Sequence, residues 1–400
     1  MNTYKVPEIK FDSRSTDIVF LDKSFILLDP SVPFTAELRK LLDKWNFTTV
    51  YSNGVFRTAT IEEDNDDDEN EIKPISILDK VLENANRAVE NAGDDEDERL
   101  KIAKSVYDTY LNYITAVYTR YATHNTFDKD DIFAAMQDLV AYVKANKKYM
   151  LRITVPSNLS PKDYIVIHSM RSTIIAITIG FELRMTQGRL TELAVSCLLH
   201  EIGMLRLPPQ LYITNAPLSL SERTKIKTHP LIGYQILQKA DFSNAVLGGV
   251  LQHHETEIGT GYPQGLKGEN ISLYARIIAV ACSFEAITSE REYREAKSSY
   301  EAMIEMMRNE NKAFNPDIIM ALIHSMSLFP IGAYVYLING KIAQVVDVTP
   351  GAPRTPVVQL VREKGEDGKP IKIQTNEKDL KIMRVLNSKE VTDILGVMNK

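Results

Sequence analysis

A mainly α-helical protein is predicted: an all-helical central domain, a small N-terminal α+β module and a C-terminal β-hairpin extension. Three observations carry the prediction. Apolar residues recur at helical spacing through most of residues 99–330, short apolar runs punctuate the first 60 residues, and Asn339-Gly340 separates two alternating segments near the end. A chain of 400 residues with 44% hydrophobic content can build two or three ordinary cores.

Residues 1–60 form the first module. "DIVFLD", "SFILLD" and "FTTVYS" read as short strands, and "TAELRKLLDKW" reads as a helix because Leu38, Leu41, Leu42 and Trp45 share one face. Residues 61–98 read as an acidic linker. Positions 62–98 hold sixteen acidic residues against three basic ones, and such a run repels itself and resists compaction. The rest of the chain then carries a mild positive balance, compatible with an anionic ligand. "ERLKIAKSVYDTYLNYITAVYTRYATH" and "KDDIFAAMQDLVAYVKANKKYM" are two long helices, a helical connector over residues 99–154. Helical patterns continue over residues 155–330. Ser160-Pro161 suits a helix start, and "SLSERTKIKTHPLIGYQIL" places Ser three residues before Glu ahead of its periodic apolar positions. Residues 331–400 change period: "AYVYLING" and "KIAQVVDV" meet at Asn339-Gly340, a two-residue hairpin signal, and "TPVVQLVRE" continues the β pattern.

Several function classes lose support here. Two cysteines, Cys197 and Cys282, offer no disulfide framework and suit a reducing compartment. The start "MNTYKVPEIKFDSRSTD" lacks a basic segment followed by an apolar one, and no stretch is expected to approach the roughly 18 apolar residues of a membrane span. The expectation is a cytoplasmic protein with no membrane partner. Without a basic, aromatic-interleaved stripe, no direct nucleic-acid binding is expected either.

The histidines carry more chemistry. Five of the seven, His168, His200, His229, His253 and His254, fall in under ninety residues, several flanked by apolar neighbours where an unpaired imidazole is costly. "LLHEIG" adds Glu201 beside His200. Imidazoles with carboxylates suit Mn, Fe or Zn, and a carboxylate next to a histidine can bridge two ions. From spacing alone, a shared metal site and separate structural histidines stand as alternatives.

"LLHEIGMLRLPPQLY", "IKTHPLIGYQIL", "LQHHETEIGTGYPQGLKGENISLYARIIAVACSFEAITSEREYREA" and "FNPDIIMALI", in that order, resemble the HD-GYP family of the HD phosphohydrolase superfamily over roughly residues 155–330. "GTGYP" at 259–263 is the naming signature. The resemblance implies an all-helical catalytic domain with two divalent metal ions, Fe or Mn, that hydrolyses cyclic di-GMP to pGpG or GMP. Carried onto this sequence, it assigns His168, His200, Glu201, His229, His253 and His254 as metal ligands, with His200 and Glu201 the catalytic pair and Glu201 bridging. Tyr164 stands where three-metal members have a glutamate, which points to two ions. Arg294 and Lys297 match the residues that contact substrate phosphates. Tyr262 matches a residue of the loop linked to contacts with diguanylate cyclase (GGDEF) domains. Two cations sharing a water can generate hydroxide near neutral pH and neutralise charge on a phosphoryl group. For Glu255 two alternatives stand, a carboxylate that orients a neighbouring imidazole and a surface salt bridge.

The sequence departs from the family pattern at three positions. The paired aspartate is Glu201, the lysine four residues after His200 is Met204, and the later aspartate ligand is Cys282. A Cys282 thiolate would still bind Zn or Fe, whereas a neutral buried thiol would leave one ion a ligand short. The alternative to an active phosphodiesterase is therefore a non-catalytic member that binds cyclic di-GMP or a protein partner in signalling.

Overall fold

In the computed structural model the described residues are 2–391 apart from 18, 22–25, 29–32, 45–46, 59–73, 94, 154–163, 214–217, 290–296, 310–311, 327–328, 330, 349–351, 353, 366–367 and 387–389. The N-terminal module contains β1 (Asn2–Lys5), β2 (Ser13–Ser15), β3 (Val19–Phe20), β4 (Ile26–Leu28), α1 (Ala36–Lys44), β5 (Thr49–Ser52) and β6 (Phe56–Thr58). Its sheet runs β1-β5-β3-β4, with β2 and β6 paired separately. Leu38 and Leu42 of α1 pack with Val19, Leu28 and Val50, so the helical spacing of the leucines is spent on a small core of its own.

The linker expectation is corrected. Ser160-Pro161 and residues 59–73 lie outside the described residues, but α2 (Pro74–Ala92) is a helix of 19 residues, with Leu78 and Ala85 buried in the central core. The final acidic cluster starts another helix, α3 (Glu96–His124). Asp95 caps it by accepting from the backbone N–H of Asp97 and Glu98, and Glu96, Asp97 and Glu98 occupy the first turn. Carboxylates there meet unpaired amides and the positive end of the helix dipole, so local charge favours the helix that mutual repulsion opposes.

Helices α3 and α4 (Lys129–Met150) are also more than a connector. Tyr107, Tyr110, Ile114, Tyr118 and Tyr121 of α3 recur at helical spacing. They bury against Ile132, Met136, Leu139 and Val143 of α4, in one core with the central helices. Tyr118 donates to the carbonyl of Leu198 at 2.8 Å and lies 3.1 Å from Ser169 Oγ. Lys148 of α4 pairs with Glu96 at 2.8 Å and with Asp347 of the C-terminal sheet at 3.3 Å.

The central domain continues through α5 (Tyr164–Glu182), α6 (Gln187–Leu198), α7 (Gln210–Ile213), α8 (Leu220–Ile226), α9 (His229–Lys239), α10 (Asn244–Gln252), α11 (Leu273–Thr288), α12 (Ser299–Arg308) and α13 (Pro316–Met326). Ser219 and Glu222 form a capping box that opens α8. By length and composition α5 is apolar enough to cross a membrane, contrary to the expectation that no such stretch exists. It is mostly buried, because α6, α11 and α13 surround it.

The C-terminal extension is larger than a hairpin. Strands β7 (Tyr334–Leu337), β8 (Ile342–Asp347), β9 (Val357–Lys364), β10 (Pro370–Gln374) and β11 (Ile382–Val385) form an antiparallel sheet in the order β10-β9-β8-β7-β11. The β7–β8 turn has three residues rather than two. Leu337 bonds to the carbonyl of Lys341, and Gly340 takes the left-handed conformation (φ 80°) that closes such a loop.

Tyr118 joins α3 to the end of α6, and Tyr118→Phe leaves the Leu198 carbonyl unsatisfied. The variant is expected to unfold with about 1–3 kcal/mol less free energy in urea titration. An unchanged midpoint would remove this bond from the set that holds the two helices together.

Candidate metal centre

Seven side chains from five chain segments converge between the central helices. His168 projects from α5, His200 and Glu201 follow α6, His229 opens α9, His253 and His254 follow α10, and Cys282 comes from α11. They fall into two groups, Glu201 with His229, His253 and His254, and His168 with His200 and Cys282. Within each group the ligand atoms all lie within 4.8 Å of one another. The Glu201 carboxylate stands between the groups, one oxygen 3.7 Å from His200 Nε2 and the other 3.7 Å from His229 Nε2.

Local chain geometry aims these rings. His200 Nδ1 lies 2.6 Å from the carbonyl of Cys197, His229 Nδ1 lies 2.7 Å from that of Ile226, and His253 Nδ1 lies 2.7 Å from that of Val250. Each carbonyl belongs to the last turn of a helix, where the backbone acceptor has no intrahelical donor. The Nδ1–H fills that vacancy and leaves Nε2 as a lone pair facing inward. Close approach depends on glycine at one place: a Cβ on Gly203 would fall 2.0 Å from the carbonyl oxygen of His229, so "HEIG" needs its glycine for α9 to reach Glu201.

His168 is held differently, by a carboxylate that sequence reasoning passed over. Glu285, one turn after Cys282 on α11 and buried, lies 2.5 Å from His168 Nδ1, 3.3 Å from Arg171 Nε and in contact with Ser289 Oγ. The available signal was the i, i+3 relation between Cys282 and Glu285, which puts both on one helix face.

The electrostatics suit cations. Burial disfavours a charged His253, the neighbouring imidazoles add to this, and its pKa falls well below the usual value. For His254 the same two causes bring it down to about 3. Burial opposes the Glu201 carboxylate, but His229, His200, His168 and His254 outweigh it and hold its pKa down to about 2. Burial likewise opposes a charged His168, yet Glu285 outweighs that and raises it. The Cys282 thiol is pushed by burial up to about 11, although its sulfur lies 3.2 Å from His200 Nε2. The fit to metal rests on one contact: His229 Nε2 and His253 Nε2 are 3.1 Å apart with both Nδ1 atoms tied to carbonyls. Two lone pairs face each other there, an arrangement that a shared cation satisfies.

The surrounding loop revises one expectation. Glu255 is buried, and its oxygens accept from the backbone N–H of Gln264 (2.6 Å), Gly265 (3.1 Å) and Leu266 (3.0 Å), so it fixes the 259–266 loop rather than an imidazole. Tyr262, the residue matched to partner contacts, stacks on His254 with ring centres 4.6 Å apart. Tyr164 stacks on His168 at 5.4 Å. Met204 is buried in the helical core, filling space. Arg294 lies outside the described residues. The Lys297 ammonium pairs with Glu305 at 2.5 Å.

Residues 157–318 match the HD-domain family model. A cyclic di-GMP phosphodiesterase of Borreliella burgdorferi is 30% identical over 51% of this chain and 54% of its own length. One of Pseudomonas aeruginosa is 32% identical over 50% and 48%. A 3'3'-cGAMP-specific phosphodiesterase of Vibrio cholerae is 32% identical over 41% and 35%. The chain thus spans about half the length of the first two relatives. A solved HDG"Y"P protein from Bdellovibrio bacteriovorus aligns over 80% of this chain and 97% of its own at 18% identity and a TM-score of 0.42.

Glu285→Gln keeps the shape and weakens the hold on His168. It is expected to lower metal affinity about 10–100-fold at the His168 group while the Glu201 group stays loaded. Metal counting after dialysis against a graded chelator checks this, and equal retention at both groups in the variant would show that Glu285 does not support a ligand.

Proposed function

We propose that the chain, whose residues 157–318 match the HD-domain family model, is an HD-GYP protein that hydrolyses a cyclic dinucleotide, cyclic di-GMP in the first instance, to pGpG or GMP. The observation that supports this most is the convergence of His168, His200, Glu201, His229, His253, His254 and Cys282 as two adjoining ligand groups that share one carboxylate. In this reading Glu201, His229, His253 and His254 hold one divalent cation, and His168, His200 and Cys282 hold the other, Fe or Mn. Such cations supply Lewis-acid polarisation of a phosphodiester and an activated water.

The chain's own residues do the rest. The carbonyl-anchored Nδ1–H groups of His200, His229 and His253 fix each tautomer, so no ring must reorient before it binds. Glu201 stays ionised among the imidazoles and offers an oxygen to either group. Tyr262 covers His254, and Glu255 holds the loop that carries it. No side chain is needed as a nucleophile in this scheme, because water attacks phosphorus.

One observation favours the second reading, a protein that binds the nucleotide without cleaving it. Burial keeps the Cys282 thiol protonated, and a neutral thiol is a weaker ligand than the carboxylate the family places there. Manganese-loaded protein assayed with cyclic di-GMP and with 3'3'-cGAMP decides between them. Turnover of either, abolished in His229→Ala, is the expected result; tight binding with no product supports the second reading, and neither binding nor product would refute both.

Cys282→Asp is expected to bind manganese at least as well as the parent and to match or exceed its rate, since oxygen donors suit Mn and Fe(II) better than sulfur. Cys282→Ala is expected to lose about one equivalent of metal, by elemental analysis, and its turnover with it. Two equivalents in Cys282→Ala with full turnover would exclude the sulfur as a ligand.

A further inference from the structure

We propose that Lys227 is a phosphate-binding residue of this centre, reaching the substrate from the side of Glu201, His229, His253 and His254; the assignment rests on the phosphodiesterase reading above. The placement comes from a break between two helices. α8 ends at Ile226, whose carbonyl holds His229 Nδ1, and α9 begins at His229 itself, so Lys227 stands two residues from a ligand on the exposed side of the turn. Its ammonium lies 5.3 Å from the centre of the Tyr262 ring, and that ring stacks on His254 at 4.6 Å. Lysine, tyrosine and histidine thus form a continuous wall running from solvent to the ligand atoms.

The charge of Lys227 is uncommitted, unlike those of Lys297, Arg171 and Arg206. Lys297 is paired with Glu305, Arg171 with Glu285, and Arg206 donates to Tyr121. Among the described residues no carboxylate lies within ion-pair distance of Lys227, and its described partner is the face of an aromatic ring. An ammonium over a π-face keeps its three donors available on the solvent side, and an anion that approaches the ligand groups past Tyr262 meets them. A cyclic dinucleotide carries two phosphodiesters. With one at the metal ligands, a cation at the rim is placed for the other, and Lys suits a point-charge contact to phosphate.

The test uses the full chain loaded with manganese, with two probes, inorganic phosphate and cyclic di-GMP, measured by calorimetry on wild type, Lys227→Ala and Lys227→Arg. The alanine variant is expected to bind both probes about ten-fold more weakly, in line with loss of one charge-assisted hydrogen bond. Metal content should be unchanged, and the salt dependence shallower. The arginine variant should stay near wild type, and in turnover KM should rise more than kcat falls. Wild-type affinity of Lys227→Ala for both probes overturns the assignment, and so does loss of metal in that variant, which would make Lys227 structural. If wild type binds phosphate but neither binds nor cleaves cyclic di-GMP, the phosphodiesterase reading fails and the phosphate comparison still decides Lys227. Wild type that binds neither probe overturns both.

Discussion

The centre depends on one repeated hydrogen bond, an imidazole Nδ1–H donated to the carbonyl three residues earlier, at the end of a helix. His200 uses Cys197, His229 uses Ile226 and His253 uses Val250. A helix end leaves carbonyls without donors and concentrates partial negative charge. A histidine just beyond that end resolves two problems with one contact, since the backbone acceptor is satisfied and the ring is fixed with its other nitrogen free. The packing of α6, α8 and α10 therefore follows from where these helices must stop. Gly203 lets two of the three stops come together.

Much of this was legible in the chain. Helical periodicity located α3 and α4 almost to the residue, because long, strongly patterned helices leave few alternatives. The histidines and Glu201 were visible as a cluster in sequence, and the family resemblance grouped them before their positions were known. Helix α2 and the start of α3 were not legible: repulsion within the acidic run was weighed, while the burial of Leu78 and Ala85 in α2 and the capping of α3 by Asp95 were not. Glu285 was missed because its partner, His168, is more than a hundred residues away, and local patterns carry no long-range pairing. The C-terminal sheet was read as a hairpin followed by one more β segment; β10 and β11 escaped for a similar reason, since they are short segments of mixed polarity that only their neighbours identify.

The three departures from the family pattern have different weights once placed. Met204 is absorbed by the core and carries no electrostatic burden. Glu201 keeps its charge and stands between both groups, so its extra methylene is accommodated. Cys282 is the position where chemistry and surroundings pull apart: the apolar shell that packs α11 against α5 and α6 favours a neutral thiol, and the imidazoles of His168 and His200 favour a thiolate. A bound cation would side with the imidazoles, because coordination deprotonates a thiol.

The captured loop has a thermodynamic corollary. Glu255 holds three consecutive backbone amides, Tyr262 N–H bonds to the carbonyl of His254, and Gly259 N–H bonds to that of Thr256. Immobilising a backbone costs about 1–2 kcal/mol per residue. Here that cost is met once, during folding, so a ligand arriving at the wall formed by Tyr262 encounters a surface already shaped. Association with such a surface spends its interaction energy on affinity instead of on ordering the receptor.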